Sequence, residues 1–260
     1  MSQKNSDGKR SARERLQEQR QREESRAKRK RTLIAAVAVV AVLGAGAGIA
    51  AVVAGSGGGK KKESAGPLVA PQGATGKDSV TIPVGKPAAK ATLVVYEDFR
   101  CPACGQFENN FRDSVNQLEQ KGELKAEYHI VTLIDNNLGG TGSLNAANAA
   151  ACAQDAGKFS AYHDLIYKNQ PPETDDAFGR KARLLELAGQ VPGLDTPAFR
   201  SCVDDGTHDS WVKKSHEAFG KSSYRATPTV LLDGKSIYAD PKNPLTPDKF
   251  RQMVAEAAKG

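Results

Sequence analysis

The chain has 260 residues, a net charge of +7 and 39% hydrophobic side chains, and its 25 Gly and 13 Pro follow no period. This excludes collagen-like and wholly disordered chains and leaves room for one large domain or two small ones with a real core. Four cysteines are too few for a miniprotein built on disulfides.

Residues 1–32 hold twelve basic and five acidic side chains, so this arm carries the whole of the +7. Residues 91–260, where the periodic apolar segments lie, hold 19 basic and 23 acidic side chains and are mildly acidic. The charge therefore does not describe a nucleic-acid-binding domain, and no nucleic-acid partner is expected. Leu33 to Ala54 is a run of 22 residues without a charged or polar side chain. A bilayer core of about 30 Å needs about 20 helical residues, whereas the apolar part of a signal peptide is usually about 7 to 15. The run is read as a single transmembrane anchor, with cleavage after Ala54 as the alternative. Nine basic residues in 13–32 against three in 55–74 place the N-terminus in the cytoplasm and the remainder outside. The localisation expected is a single-pass cell-membrane protein with an extracytoplasmic C-terminal domain. Residues 55–78, rich in Gly, Lys, Pro and Ser, read as a flexible tether, and the folded domain is expected over 79–260.

Strands are predicted over Val80–Val84, Ala91–Phe99 and Leu124–Ile134. Between the second and third, Phe107, Phe111, Val115 and Leu118 at helical spacing predict an amphipathic helix over Pro102–Gln120. A strand, a helix and a strand in that order imply a parallel α/β unit. From about residue 142 to 224 the pattern is helical throughout, with segments at Leu144–Gln154, Phe159–Lys168, Asp176–Leu187, Thr196–Cys202 and Asp209–Phe219. Thr229–Leu232 and Lys235–Tyr238, joined by Asp233-Gly234, predict a hairpin. A closing helix over Pro247–Ala258 follows Thr246 as N-cap with Pro at the first helical position. Trp211, Phe199 and Tyr162 are expected in the core.

Cys101-Pro102-Ala103-Cys104 lies where a strand meets the first helix. Cys101 falls at the N-cap, where unpaired N–H groups and the helix dipole favour a thiolate. Cys104, one turn on, is placed to attack a mixed disulfide on Cys101, so the two sulfurs form a reversible two-electron switch. A zinc half-site is the competing reading. Zinc would need a second ligand pair at short spacing, but Cys152 and Cys202 are isolated and His129, His163, His208 and His216 form no HxxxH. No metal and no cofactor are expected.

Val94-Val95-Tyr96-Glu97-Asp98-Phe99-Arg100-Cys101-Pro102-Ala103-Cys104, the order of elements after it, and Ala226-Thr227-Pro228-Thr229 resemble the DsbA-like thioredoxin-fold thiol-disulfide oxidoreductases. Ala151 to Phe159 with Tyr162-His163-Asp164 is similar to that family's insertion helices. The resemblance covers residues 79–260 and implies an α/β thioredoxin fold with an inserted helical subdomain. It also implies a cis-proline loop at Thr227-Pro228 facing the active-site cysteines and binding substrate backbone. Many thioredoxin-fold enzymes carry a buried acid six residues before the first cysteine; here that position is Val95, and Glu97 and Asp98 are read as surface carboxylates. Outside the cell, Cys152 and Cys202, both in the insertion, are expected to bond to each other as a structural disulfide, with a relay pair as the alternative.

The function expected is oxidation of exported proteins that carry free thiols, with Cys101 as the attacked sulfur. The resemblance implies reoxidation by a quinone-linked membrane partner, DsbB-like or similar to vitamin K epoxide reductase. The alternatives are a reductase or isomerase with the same chemistry, or a nonenzymatic binding module.

Overall fold

The computed structural model describes residues 67–238, 240 and 242–259. The basic arm, the apolar run Leu33 to Ala54 and the first part of the tether lie outside the described residues. Among the described residues no helix is long and apolar enough to cross a membrane.

A five-stranded sheet holds the molecule together. β2 (Ala91–Glu97) and β3 (Leu124–Ile130) pair in parallel, with Ala91 opposite Leu124 and Glu97 opposite Ile130. Both alternate buried and half-buried residues along their length, so one face carries Leu93, Val95, Ala126 and Tyr128 into the core. β1 (Ile82–Gly85) pairs antiparallel with β3, and β4 (Thr229–Leu232) antiparallel with β2. The short β5 (Lys235–Ser236) completes the order β1-β3-β2-β4-β5. The turn between β4 and β5 has positive φ at both central residues, 47° at Asp233 and 78° at Gly234. That two-residue geometry matches the twist of the flanking strands.

The crossover between β2 and β3 is α1 (Pro102–Lys121), which buries Phe107, Phe111, Val115 and Leu118 against the sheet. These are the residues whose spacing predicted the helix. α8 (Pro247–Ala257) closes the same side, with Phe250 edge-on to Phe111 at 5.9 Å between ring centroids. Its N-cap is Thr246, whose hydroxyl accepts from Lys249 N–H at 3.2 Å.

Between β3 and β4 lies the helical insertion: α2 (Leu133–Leu138), α3 (Gly142–Asp155), α4 (Phe159–Lys168), α5 (Lys181–Ala188), α6 (Pro197–Asp205) and α7 (Asp209–Lys221). Cys152 on α3 and Cys202 on α6 form a disulfide closing a sequence separation of 50 residues. Trp211, Phe199 and Tyr162 are all buried in this half, as expected.

Strand ends shift by up to two residues at β1, β2 and β5, and three further differences from the sequence reading have a visible cause. The third strand ends at Ile130 rather than Ile134, because Ile134 N–H turns to the buried carboxylate of Asp98 at 2.8 Å and the chain enters α2. The expected helix Asp176–Leu187 divides into a turn of 3₁₀ helix at Ala177–Gly179 and α5. The chain is docked from Pro67, within the residues read as tether. Val69 N–H donates to Ser210 Oγ at 3.2 Å, His208 bonds the Val69 carbonyl at 2.9 Å and Gln72 N–H donates to Asp155 at 2.6 Å. Polar, Gly-rich composition hid this docking because the contacts are made by backbone groups.

Candidate active site

Cys101 occupies the N-cap of α1, with extended backbone (φ −74°, ψ 118°) before Pro at the first helical position. The helix thus presents its free N–H groups to one sulfur. Cys101 and Cys104 are both free thiols, and their exposures differ in kind: Cys101 is 6% exposed beside the exposed Pro102 and Ala103, whereas Cys104 is wholly buried. The Cys101 pKa is lowered to about 6, first by the hydrogen bond from Cys104, against the opposing effect of burial, and then by Thr227 and the N–H groups of Cys104 and Ala103. Burial, together with the negative charge held on Cys101, pushes the Cys104 thiol well above its ordinary value. One sulfur is therefore a stabilised thiolate at neutral pH and the other a thiol.

Thr227 and Pro228 come to this sulfur across 126 residues of chain. The Thr227-Pro228 peptide bond is cis, and Cys101 Sγ lies 3.3 Å from the Thr227 carbonyl oxygen, which accepts from the sulfur when Cys101 is protonated. The structure thus brings Cys101, Cys104, Thr227 and Pro228 together, and places Cys152 and Cys202 apart from them in the insertion.

The turn that carries Cys101 is held by residues to which the sequence reading gave no role. Gln170, just after α4, donates its amide N–H groups to the carbonyls of Phe99 and Cys101, both at 2.9 Å. Gly105 makes room for it, since a Cβ there would come within 2.2 Å of Gln170 Oε1. Arg100, 2% exposed, reaches Asp135 at 2.6 Å, Asp176 at 3.1 Å and the carbonyls of Gly139 and Glu173. Asp135 also accepts from the N–H groups of Ser143 and Leu144 at 3.0 and 2.9 Å, so Arg100 ties the turn to the start of α3.

The reading of Glu97 and Asp98 as surface carboxylates is wrong: both are wholly buried. Glu97 continues the inward-facing series Leu93, Val95 of β2, and its carboxylate meets His163 Nε2 at 2.7 Å. Asp98 accepts from Arg100 N–H and Ile134 N–H at 2.8 Å each. The alternation along β2 already assigned Glu97 to the inner face; what was missing was the cation, which comes from α4. Burial alone would lower the His163 pKa, but the carboxylates of Glu97 and Asp164 outweigh it and raise it well above the ordinary value.

Two groups of side chains among the described residues are close enough to share a metal ion: Cys152, Cys202 and His208, whose cysteines are already joined, and Glu97, Glu108 and His163.

The family model for thioredoxin matches residues 77–256. The chain belongs to the thioredoxin family, among its DsbA-like thiol-disulfide oxidoreductases. Disulfide bond formation protein D of Bacillus subtilis is 25% identical over 180 residues, spanning 68% of this chain and 77% of that protein. The reduced form of DsbA from Mycobacterium tuberculosis superposes with a TM-score of 0.59 at 27% identity, over 70% of this chain and 93% of that one. The reduced form of DsbG, a disulfide bond oxidoreductase from the same organism, gives 0.57 at 30% identity, over 68% and 84% of the two chains. For this oxidoreductase the helical insertion supplies Gln170 to the turn that carries Cys101 and His163 to Glu97.

Proposed function

We propose that the enzyme is an oxidase that donates a Cys101–Cys104 disulfide to exported proteins carrying free thiols. The observation that carries this reading is the asymmetry of the two sulfurs: Cys101 is stabilised as a thiolate, and Cys104 is buried and protonated. A substrate thiolate attacks Cys101, the disulfide opens and Cys104 leaves. A second substrate thiolate then attacks the substrate sulfur of the mixed disulfide. Cys101 departs as a thiolate, and a leaving group with a low pKa leaves readily, which drives oxidation of the substrate. Thr227 and Pro228, beside the reacting sulfur, are the surface on which substrate backbone lies.

The apolar run Leu33 to Ala54 anchors the domain on the outer face of the cell membrane, with the basic arm inside. There a quinone-linked membrane partner, DsbB-like or similar to vitamin K epoxide reductase, restores the disulfide. The name of the Bacillus subtilis relative, a disulfide bond formation protein, supports oxidation as the direction. Similarity to both a DsbA and a DsbG leaves a reductase or isomerase as the second reading.

The test is thiol trapping of Cys101 in intact cells together with oxidation of a reduced test protein by the purified full-length chain. An oxidase holds Cys101 mostly oxidised, oxidises the test protein rapidly, loses turnover in Cys101→Ser and accumulates mixed disulfides in Cys104→Ala. A mostly reduced pair with poor oxidation supports a reductase, and full function in Cys101→Ser supports a binding module.

A further inference from the structure

The segment that follows α4 is fastened to the active-site turn twice over. Gln170 donates its amide N–H groups to the carbonyls of Phe99 and Cys101, both at 2.9 Å. Arg100, in the turn itself, donates to the Glu173 carbonyl at 3.1 Å and meets the Asp176 carboxylate at 3.1 Å. Cys101 N–H closes the turn on the Asp98 carbonyl at 3.0 Å, and the Cys101 carbonyl accepts the first bond of α1, from Gly105 N–H at 3.1 Å. Gln170 thus grips the peptide groups on either side of the Arg100–Cys101 bond. Its own backbone is held as well. Gln170 N–H donates to the Tyr167 carbonyl at 3.3 Å, the same carbonyl accepts from Asn109 of α1 at 3.3 Å, and the φ-restricted pair Pro171-Pro172 follows.

What seating Gln170 demands is visible in α1. Gly105 stands inside the helix, where glycine is ordinarily worse than alanine. A Cβ there would lie 2.2 Å from Gln170 Oε1 and 2.9 Å from its Cδ. The end of a side chain normally swings out of such a contact, but this amide nitrogen is tied to two carbonyls, and a swing breaks those bonds. The chemistry supplies a reason to hold the turn so firmly. The N–H groups of Ala103 and Cys104 help to stabilise the Cys101 thiolate, and Pro102 has no N–H to add. A hydrogen bond weakens steeply as its angle closes, so a turn free to rock would aim these donors poorly.

We propose that Gln170 is a positioning residue for the Cys101 thiolate, aiming the first N–H groups of α1 at the sulfur through the two carbonyls it holds, and that position 105 is glycine to admit it. The inference rests on thiol-disulfide exchange at Cys101, and not on the direction the exchange takes in the cell. When a second thiolate bonds to the substrate sulfur of the mixed disulfide, the bond from that sulfur to Cys101 breaks and the electron pair stays on Cys101 Sγ. That departing sulfur is the charge the N–H groups receive. A side chain 69 residues along the chain thereby sets how readily Cys101 leaves. The other ionisable groups facing Cys101 among the described residues are Cys104 of α1 and Tyr238, beyond β5, and the variants below leave both in place.

The experiment is the pH dependence of Cys101 alkylation by iodoacetamide in the reduced full-length enzyme, read on the Cys101 peptide by mass spectrometry, with urea denaturation of each variant alongside. Alkylation follows the thiolate fraction. Gln170→Met keeps the length of the side chain and its packing but has no donor. It should cut the fraction of Cys101 ionised at pH 6 about fivefold, the change produced when a midpoint at about 6 rises by about one pH unit. Gly105→Ala, which leaves Gln170 in the chain and takes its seat, should move the fraction in the same direction. Gly105→Ala combined with Gln170→Ala should be no worse than Gln170→Ala alone, because the clash is gone. A residue that only fills space would lower the urea midpoint without moving the ionisation of Cys101. An ionised fraction in Gln170→Met within about 1.5-fold of wild type would overturn the proposal. So would effects at positions 105 and 170 that simply multiply. The thiolate fraction is measured without a protein substrate or a reoxidising partner, so this result is separate from the oxidase test.

Discussion

Asp98 joins the active-site turn to α2 through both carboxylate oxygens, each 2.8 Å from a backbone N–H. Burial raises its pKa from 3.8 to about 7, against the pull of those two N–H donors. The folded state therefore binds this proton more tightly than the unfolded state does, so stability from this residue is present at low pH and declines as pH rises from about 4 to about 7. In Asp98→Asn the decline should disappear. At neutral pH the substitution should still cost about 1 to 3 kcal/mol, because the amide N–H₂ faces one of the two backbone donors and leaves it unpaired. Urea denaturation of both proteins at mildly acid and neutral pH checks both signs. The same residue shows how reading a chain locally goes astray. Glu97 and Asp98 are adjacent acidic residues near the end of a predicted strand, and they are buried because Ile134 and His163, 36 and 66 residues on, pack against them.

At the scale of elements, the insertion is tied to itself by the disulfide between α3 and α6. Closing a loop of 50 residues restricts the unfolded chain, and the chain-entropy model gives about 4 kcal/mol. Replacing both Cys152 and Cys202 by Ala should destabilise the fold by about that amount, read as a lower melting temperature, while leaving the rate at which glutathione reduces a Cys101–Cys104 disulfide near wild type. A rate that collapses with stability intact would make the pair a relay. Element types were largely legible in the chain. The 3.6-residue period of Phe107, Phe111, Val115 and Leu118 gave α1, and Thr246-Pro247 marked the start of α8. The apolar run after Leu124 was misleading at its end, since Val131 to Ile134 are as apolar as a strand but are claimed by the Asp98 clamp and α2.

Over the whole molecule, the segment from Pro67 to Thr81 straps the insertion to the sheet edge. It is bonded to Ser210, His208, Gln154 and Asp155, and Trp211 donates its indole N–H to the Ser79 carbonyl at 2.6 Å. A chain starting at Ser79 strands the buried His208 and its partner Asp155 without the Val69 and Gln72 backbone groups. It should melt several degrees below one starting at Pro67. Equal melting temperatures would show the strap to be loosely held in solution.

By itself the sequence determined what depends on neighbours in the chain: a CPAC pair at a strand-to-helix junction, the hairpin turn at Asp233-Gly234, the helix caps, and the separation of a basic arm from an acidic domain. Only the tertiary structure decided which groups are dry. It brought Thr227 to Cys101, Gln170 to the carbonyls behind it, and His163 to Glu97. Burial sets the proton affinity of Cys104, Asp98 and Glu108, and burial is a property of what packs on top, supplied here by helices far along the chain.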